Sequence, residues 1–207
     1  MNRKEVKLFM SKNNQEIVGC VSDYLTELKK TIDALPMDRI SSIITILQDA
    51  YRNNKKVFIC GNGGSASTAS HMVNDLAKGT IVKDKKRFRA ISLCDNLPLM
   101  TAWANDDGYE NMYVEQLQNL LENGDILIAI SGSGNSPNIL KAIEYANNHN
   151  ATTIGLTGFQ GGKLKSMVKE CLVVPSNSMQ RIEDIHLVMG HLLMCYFKEA
   201  IQKDSNS

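Results

Sequence analysis

Five short apolar runs constrain this chain most: VFIC at 57–60, AISL at 90–93, ILIAI at 126–130, TIGLT at 153–157 and LVV at 172–174. Each is shorter than a buried helix, carries β-branched residues, and is followed by a segment with helical spacing. Strands that are apolar along their whole length belong to a parallel sheet covered on both faces. The pattern therefore predicts an α/β fold with a doubly wound sheet.

Ahead of these runs the spacing is helical from residue 5 to 55. Ile17, Val21, Tyr24, Leu25 and Leu28 recur at three- and four-residue steps, Pro36 closes this first helix, and a second begins near Asp38. It carries Ile40, Ile43, Ile44 and Leu47 on one face and runs to about Asn53. The expected organisation is an N-terminal helical extension over 1–54 and a main domain over 55–203, behaving as one structural unit. With 207 residues and 43% hydrophobic content the chain can bury one good core.

Lys+Arg of 23 against Asp+Glu of 22 gives a net charge of +1, which supplies no field to hold nucleic acid or an anionic membrane. The basic run 83–89 has only Phe88 as an aromatic companion and reads as a solvated loop. No segment has a signal peptide's apolar middle or the ~18 apolar residues of a membrane span, so the expected location is the cytoplasm. Five scattered cysteines without a Cys-x-x-Cys spacing read as free structural thiols.

Two loops carry the chemistry. Gly61-Asn62-Gly63-Gly64-Ser65 follows the first predicted strand and leads into a helix starting near Ala66. Glycines let the backbone approach a ligand, and a helix N-terminus offers free N–H groups, which favours an anion or a polar sugar. The loop is neither a Walker A sequence nor a dinucleotide fingerprint. Ser131-Gly132-Ser133-Gly134-Asn135-Ser136-Pro137 follows the third strand. Three hydroxyls before a helix that opens on proline make a phosphate cradle; a plain helix cap would need only one of them.

His71 and Asp75 lie one turn apart on the helix after the first loop. Far along the chain, 179–201 reads as one long helix with Ile182, Ile185, Met189, Leu192, Leu193 and Tyr196 on a wide stripe. Leu187, Val188 and Cys195 make much of the other side apolar, so the helix is expected to be buried nearly all round. Glu183 and His191 sit two turns apart, and their face should look into a polar cavity or another subunit. Together the two histidines and two carboxylates could hold a zinc ion or perform proton transfers. Asn105-Asp106 reads as a turn, His149 as a structural helix end, and His186 as a core or interface histidine.

The GNGGS loop, the helix with His71, the SGSGNS loop, the GLTGFQGG segment and the RIEDIH…H helix, in that order, resemble the SIS-domain phosphoheptose isomerases from about residue 15 to 200. The resemblance implies a five-stranded parallel sheet and a homotetramer assembled through the N-terminal helices, with active sites between subunits. It also implies interconversion of sedoheptulose 7-phosphate with D-glycero-D-manno-heptose 7-phosphate for heptose precursor biosynthesis.

Carried over residue by residue, the resemblance makes Ser131, Gly132, Ser133 and Ser136 the phosphate site. Asn62, Gly63, Gly64, Ser65, Asp106 and Glu183 become sugar contacts. His71, Asp75, Glu183 and His191 become ligands of Zn²⁺, with Asp75 as general base and His191 as general acid. Four positions depart from the family pattern: Asp75 stands where Glu is usual, Glu183 where Gln, Gln180 where Asp, and Gly132 where Thr. These departures imply a divergent subgroup. A noncatalytic sugar-phosphate sensor or partner-binding module, and an isomerase for another ketose phosphate, are the alternatives.

Overall fold

Proline at position 36 lies in extended backbone and separates two compact units, Met1–Leu35 and Pro36–Ser207. The computed structural model describes residues 3–203, with side chains from Asn14 onward. The first unit is the helix α1 (Arg3–Asp33). Its Ile17, Val18, Val21 and Leu25 are all more than half exposed and fall on one stripe.

The second unit opens with α2 (Met37–Arg52), which buries Ile40, Ile43, Leu47 and Ala50. This unit includes α2 because that helix packs on the sheet at β5. Ser42 Oγ donates to Glu170 (2.6 Å) and Arg39 donates to the other carboxylate oxygen (3.1 Å).

Five parallel strands follow: β1 (Lys56–Gly61), β2 (Arg89–Ser92), β3 (Ile126–Ile130), β4 (Thr152–Thr157) and β5 (Glu170–Val173). Their order is β2-β1-β3-β4-β5, with Val57 opposite Ala90 on one side and Ile126 on the other. The sheet is the expected doubly wound, five-stranded one. Strand β5 starts two residues before its apolar run, because α2 neutralises Glu170 at the sheet edge.

Alternate strand residues point to opposite faces. Phe58, Cys60, Leu127 and Ala129 pack against α5 (Val114–Leu120) and α6 (Pro137–Asn148) in a cluster that includes Tyr113, Leu117, Ile139 and Ile143. The other face is covered by α3 (Gly64–Asn74) and by α8 (Met179–Lys203), which contact one another. The short helices α4 (Leu97–Asp106) and α7 (Leu164–Met167) complete the elements.

The chain runs from β1 outward to β2 and then returns to the opposite side of β1 as β3. This reversal opens a crevice at the carboxyl ends of β1 and β3, where ligands bind in open α/β sheets. Both loops singled out in the sequence leave from those ends.

Helix α8 corrects one expectation. Ile182, Ile185, Met189 and Leu193 are buried, but Leu187 and Val188 are over one-third exposed, as is Tyr196, and Cys195 is exposed as well. The sheet and α3 cover only the stripe that faces them, so the opposite apolar side of this protomer lies at the surface.

Candidate functional site

The first loop is held by side chains. Tyr113, buried beneath it, donates its hydroxyl to the Gly61 carbonyl, and Cys94 contacts the same carbonyl at 3.5 Å. Burial pushes the Tyr113 phenol and the Cys94 thiol upward, so both stay neutral. Asn62 forms a reciprocal amide pair with Asn138 in the first turn of α6, at 2.9 and 2.8 Å, and accepts a further bond from Tyr109 Oη at 3.0 Å. Ser65 is buried in the first turn of α3.

Backbone holds the second loop. Gly132 accepts from Gly158 N (3.0 Å) and from Thr157 Oγ1 (3.2 Å), Gly134 accepts from Leu164 N (3.0 Å), and Asn135 Oδ1 accepts from Lys163 N (3.1 Å). Gly134 and Gly162 both have positive φ, and a β-carbon on Gly134 would collide with Gly161 O, or one on Gly162 with Ser133 O. Only glycine permits this approach of two backbones. Ser131 Oγ and Ser136 Oγ lie 3.4 Å apart at the head of α6, and Ser133 is exposed. Met179 Sδ lies 2.5 Å from the place a β-carbon would take on Gly132. A thioether thus backs the position where the family pattern has threonine.

Where α3 and the turn after it meet α8, three side chains converge. His71 Nε2 and His191 Nε2 are 3.1 Å apart, and Asp75 Oδ2 lies 3.5 Å from the first and 3.9 Å from the second. The imidazoles are roughly half exposed, whereas the Asp75 carboxylate is nearly buried and its Oδ2 receives no hydrogen bond. A dication with four ligands at ~2.0–2.1 Å spaces their atoms by about 3.3–3.4 Å, close to the edges of this triangle. The buried carboxylate oxygen without a donor and the two facing nitrogens fit such an ion. Asp75 also begins a π-helical turn (Asp75–Gly79), a distortion that favours functional positions.

Glu183 stands outside that triangle among the described residues. Its carboxylate lies over the start of α3, 3.2 Å from the place a β-carbon would take on Gly64, where the helix dipole favours negative charge. Asp106 ends α4 rather than lying in a turn, is exposed, and accepts from Asn105 Nδ2 at 2.8 Å. His149 caps α6 and stacks on Tyr145. His186 is a core histidine whose Nε2 faces the Thr157 carbonyl at 3.4 Å, and burial lowers it to about 4.

Sequence reasoning missed Asn138, Tyr109, Thr157 and Met179. Asn138 directly follows the 131–137 motif and Thr157 lies within the GLTGFQGG segment, but nothing in their spacing marks a support role. Tyr109 and Met179 meet the loops only through the tertiary fold.

The SIS domain family matches residues 22–158 of this chain. Phosphoheptose isomerase of Nitratiruptor sp. is 40% identical over 160 residues, covering 77% of this chain and 84% of that protein. The Helicobacter pylori (strain P12) phosphoheptose isomerase is 40% identical over 166 residues, covering 80% and 85% respectively. Among solved structures, the phosphoheptose isomerase from Francisella tularensis superposes with a TM-score of 0.82 at 29% identity, covering 90% of this chain and 98% of its own. The chain belongs to the SIS-domain family, among its phosphoheptose isomerases.

Proposed function

We propose that this protein interconverts sedoheptulose 7-phosphate and D-glycero-D-manno-heptose 7-phosphate through a cis-enediol. The observation that carries this reading is the convergence of His71, Asp75 and His191, two of them on the segment that follows the 61–65 loop. Moving a carbonyl between C2 and C1 requires removing the C1 proton, protonating O2, and then reversing the transfers on the neighbouring atoms. Asp75 serves as the general base at carbon and His191 as the general acid for the O1 and O2 protons.

Ser131, Ser133 and Ser136, with the backbone of Gly132, bind the phosphate at the far end and use that binding to orient C1 and C2. The 61–65 loop, with Asn62, Gly63, Gly64 and Ser65, faces the sugar, and Asp106 and Glu183 contact its hydroxyls.

His71, Asp75 and His191 would hold a zinc ion, with Glu183 as the fourth candidate ligand. When bound, the ion supplies polarisation of the sugar oxygens. The exposed imidazoles and the exposed apolar sides of α1 and α8 support a homotetramer whose sites form between subunits. A phosphorylated sugar substrate favours the cytoplasm, and the product would feed heptose precursor biosynthesis for lipopolysaccharide or capsule. No helix among the described residues is long and apolar enough to cross a membrane.

The test is a ketose-to-aldose assay on purified, metal-defined protein, with the products read by NMR and ketohexose and ketopentose phosphates as controls. Turnover restricted to the heptulose phosphate is the expected result. Saturable binding of every ketose phosphate without turnover of any would overturn the enzyme reading in favour of a sensor.

A further inference from the structure

The first loop contains an asparagine whose side chain is already committed. Asn62 Oδ1 accepts from both Asn138 Nδ2 (2.8 Å) and Tyr109 Oη (3.0 Å), which fills its two lone pairs. Its Nδ2 donates to Asn138 Oδ1 at 2.9 Å, leaving one N–H. Asn138 is fully buried in the first turn of α6, and its Oδ1 also accepts from Ile139 N at 3.0 Å. A side chain used in this way is poorly placed to read a sugar hydroxyl. It is well placed to tie two segments together.

The segments it ties are the two ends of the substrate site. Asn62 precedes α3, which carries His71 and leads into the π-helical turn at Asp75, and Asn138 sits two residues after Ser136 at the mouth of the phosphate cradle. We propose that the Asn62–Asn138 amide pair, capped by Tyr109, is a positioning brace that sets the distance between the phosphate anchor and the reacting carbons, and thereby the length of phosphosugar accepted. The proposal rests on the isomerase reading and reassigns the Asn62 side-chain carbonyl from sugar contact to support. With the brace intact, a heptulose phosphate reaches the Asp75–His191 end from an anchored phosphate, while shorter ketose phosphates fall short. Loosening the brace misaligns C1 and C2 without touching the phosphate hydroxyls, and misplacement by ~1 Å costs on the order of 100-fold in rate.

The experiment is a mutant cycle on the full-length protein with Asn62→Ala, Asn138→Ala, the double variant and Tyr109→Phe. The readouts are kcat and KM for sedoheptulose 7-phosphate, the same constants for a ketohexose phosphate, and competitive inhibition by inorganic phosphate. Each alanine variant is expected to lose on the order of 10- to 100-fold in kcat and to discriminate less between the two sugars. Inhibition by inorganic phosphate should hold within about twofold.

The double variant should be no worse than the poorer single one, because the pair acts as a unit. Losses that multiply in the double variant, or that appear only in KM, would overturn the brace and return Asn62 to direct sugar contact. Should the buried Asn138→Ala fail to fold, Tyr109→Phe carries the test. Its residue is exposed, the expected loss is about fivefold in kcat, and that loss should vanish when Asn62 is already alanine. If the wild-type protein turns over no ketose phosphate, the isomerase reading fails separately, and the same variants are read by calorimetry. Loss of the wild-type preference for sedoheptulose 7-phosphate over the ketohexose phosphate, no greater in the double variant than in the poorer single one, then supports the brace, and additive weakening or unchanged preference rejects it.

Discussion

The two loops at the crevice have similar composition and are built in different ways. The 131–136 loop lies against a second stretch of backbone, with glycine meeting glycine at Gly134, Gly161 and Gly162. The 61–65 loop is held by side chains: Tyr113 on the Gly61 carbonyl, and Asn138 and Tyr109 on Asn62. A backbone-to-backbone contact has no rotamers and fixes one shape, which suits a tetrahedral anion of constant geometry. A side-chain network can be retuned by single substitutions, which suits the end of the site where sugars differ and where protons move.

The sharpest way to break this division is Asp75→Asn, which removes the base and little volume. Turnover should fall on the order of 10³-fold while binding of inorganic phosphate persists, as assay and calorimetry would show. Retained turnover would take Asp75 out of the mechanism.

Acid probes the backing of the second loop. Folded His186 stays neutral down to about 4, whereas an unfolded imidazole binds a proton near 6.5. Its contribution is therefore complete above about pH 6.5 and is lost as pH falls toward 4, a change on the order of 3 kcal/mol. Because His186 faces the carbonyl of Thr157, whose hydroxyl donates to Gly132, phosphate binding by the folded protein should weaken only near pH 4, where the folded imidazole gains its proton. Denaturant titrations from pH 4 to 7 should show a flatter profile in His186→Gln than in the wild type.

Gly162→Ala asks whether the backbone contact is rigid. The residue has a φ of +56°, so a side chain there costs about 2 kcal/mol even before its collision with the cradle. Lower thermal stability and weaker phosphate binding are expected together, and loss of neither would mean that the two loops can part freely. Ser133→Ala is the mildest change, since it deletes one exposed hydroxyl. It should raise KM about fivefold with kcat nearly constant. No change in KM would reduce Ser133 to a loop cap.

The three central strands were legible in the sequence because a strand buried on both faces has little room for a polar residue, and all five runs became strands within a residue or two, although the edge strands β2 and β5 are only partly buried. Glycine loops after β1 and β3 were legible for a related reason, as tight turns admit few residue types. The exposure of Leu187 and Val188 was not legible, since an apolar side chain on a helix has the same spacing whether it meets its own core or the surface of the protomer. Glu183 was grouped with the histidines by its two-turn spacing on α8. The approach of α3, which no periodicity encodes, instead puts its carboxylate over Gly64. Asn138 and Tyr109 escaped notice because a reciprocal amide pair between distant segments leaves no local signature.

The parallel sheet also orders events during synthesis. Each strand pairs with partners that are distant along the chain, and Val57 waits for Ile126 before β1 gains its second neighbour. The first loop leaves the ribosome long before the second can form beside it, and His191 on α8 arrives after all five strands. A nascent chain interrupted before α8 would hold both loops and the Asp75 carboxylate yet lack the acid. On the proposed mechanism, turnover of a sugar phosphate would begin only once the last helix has docked.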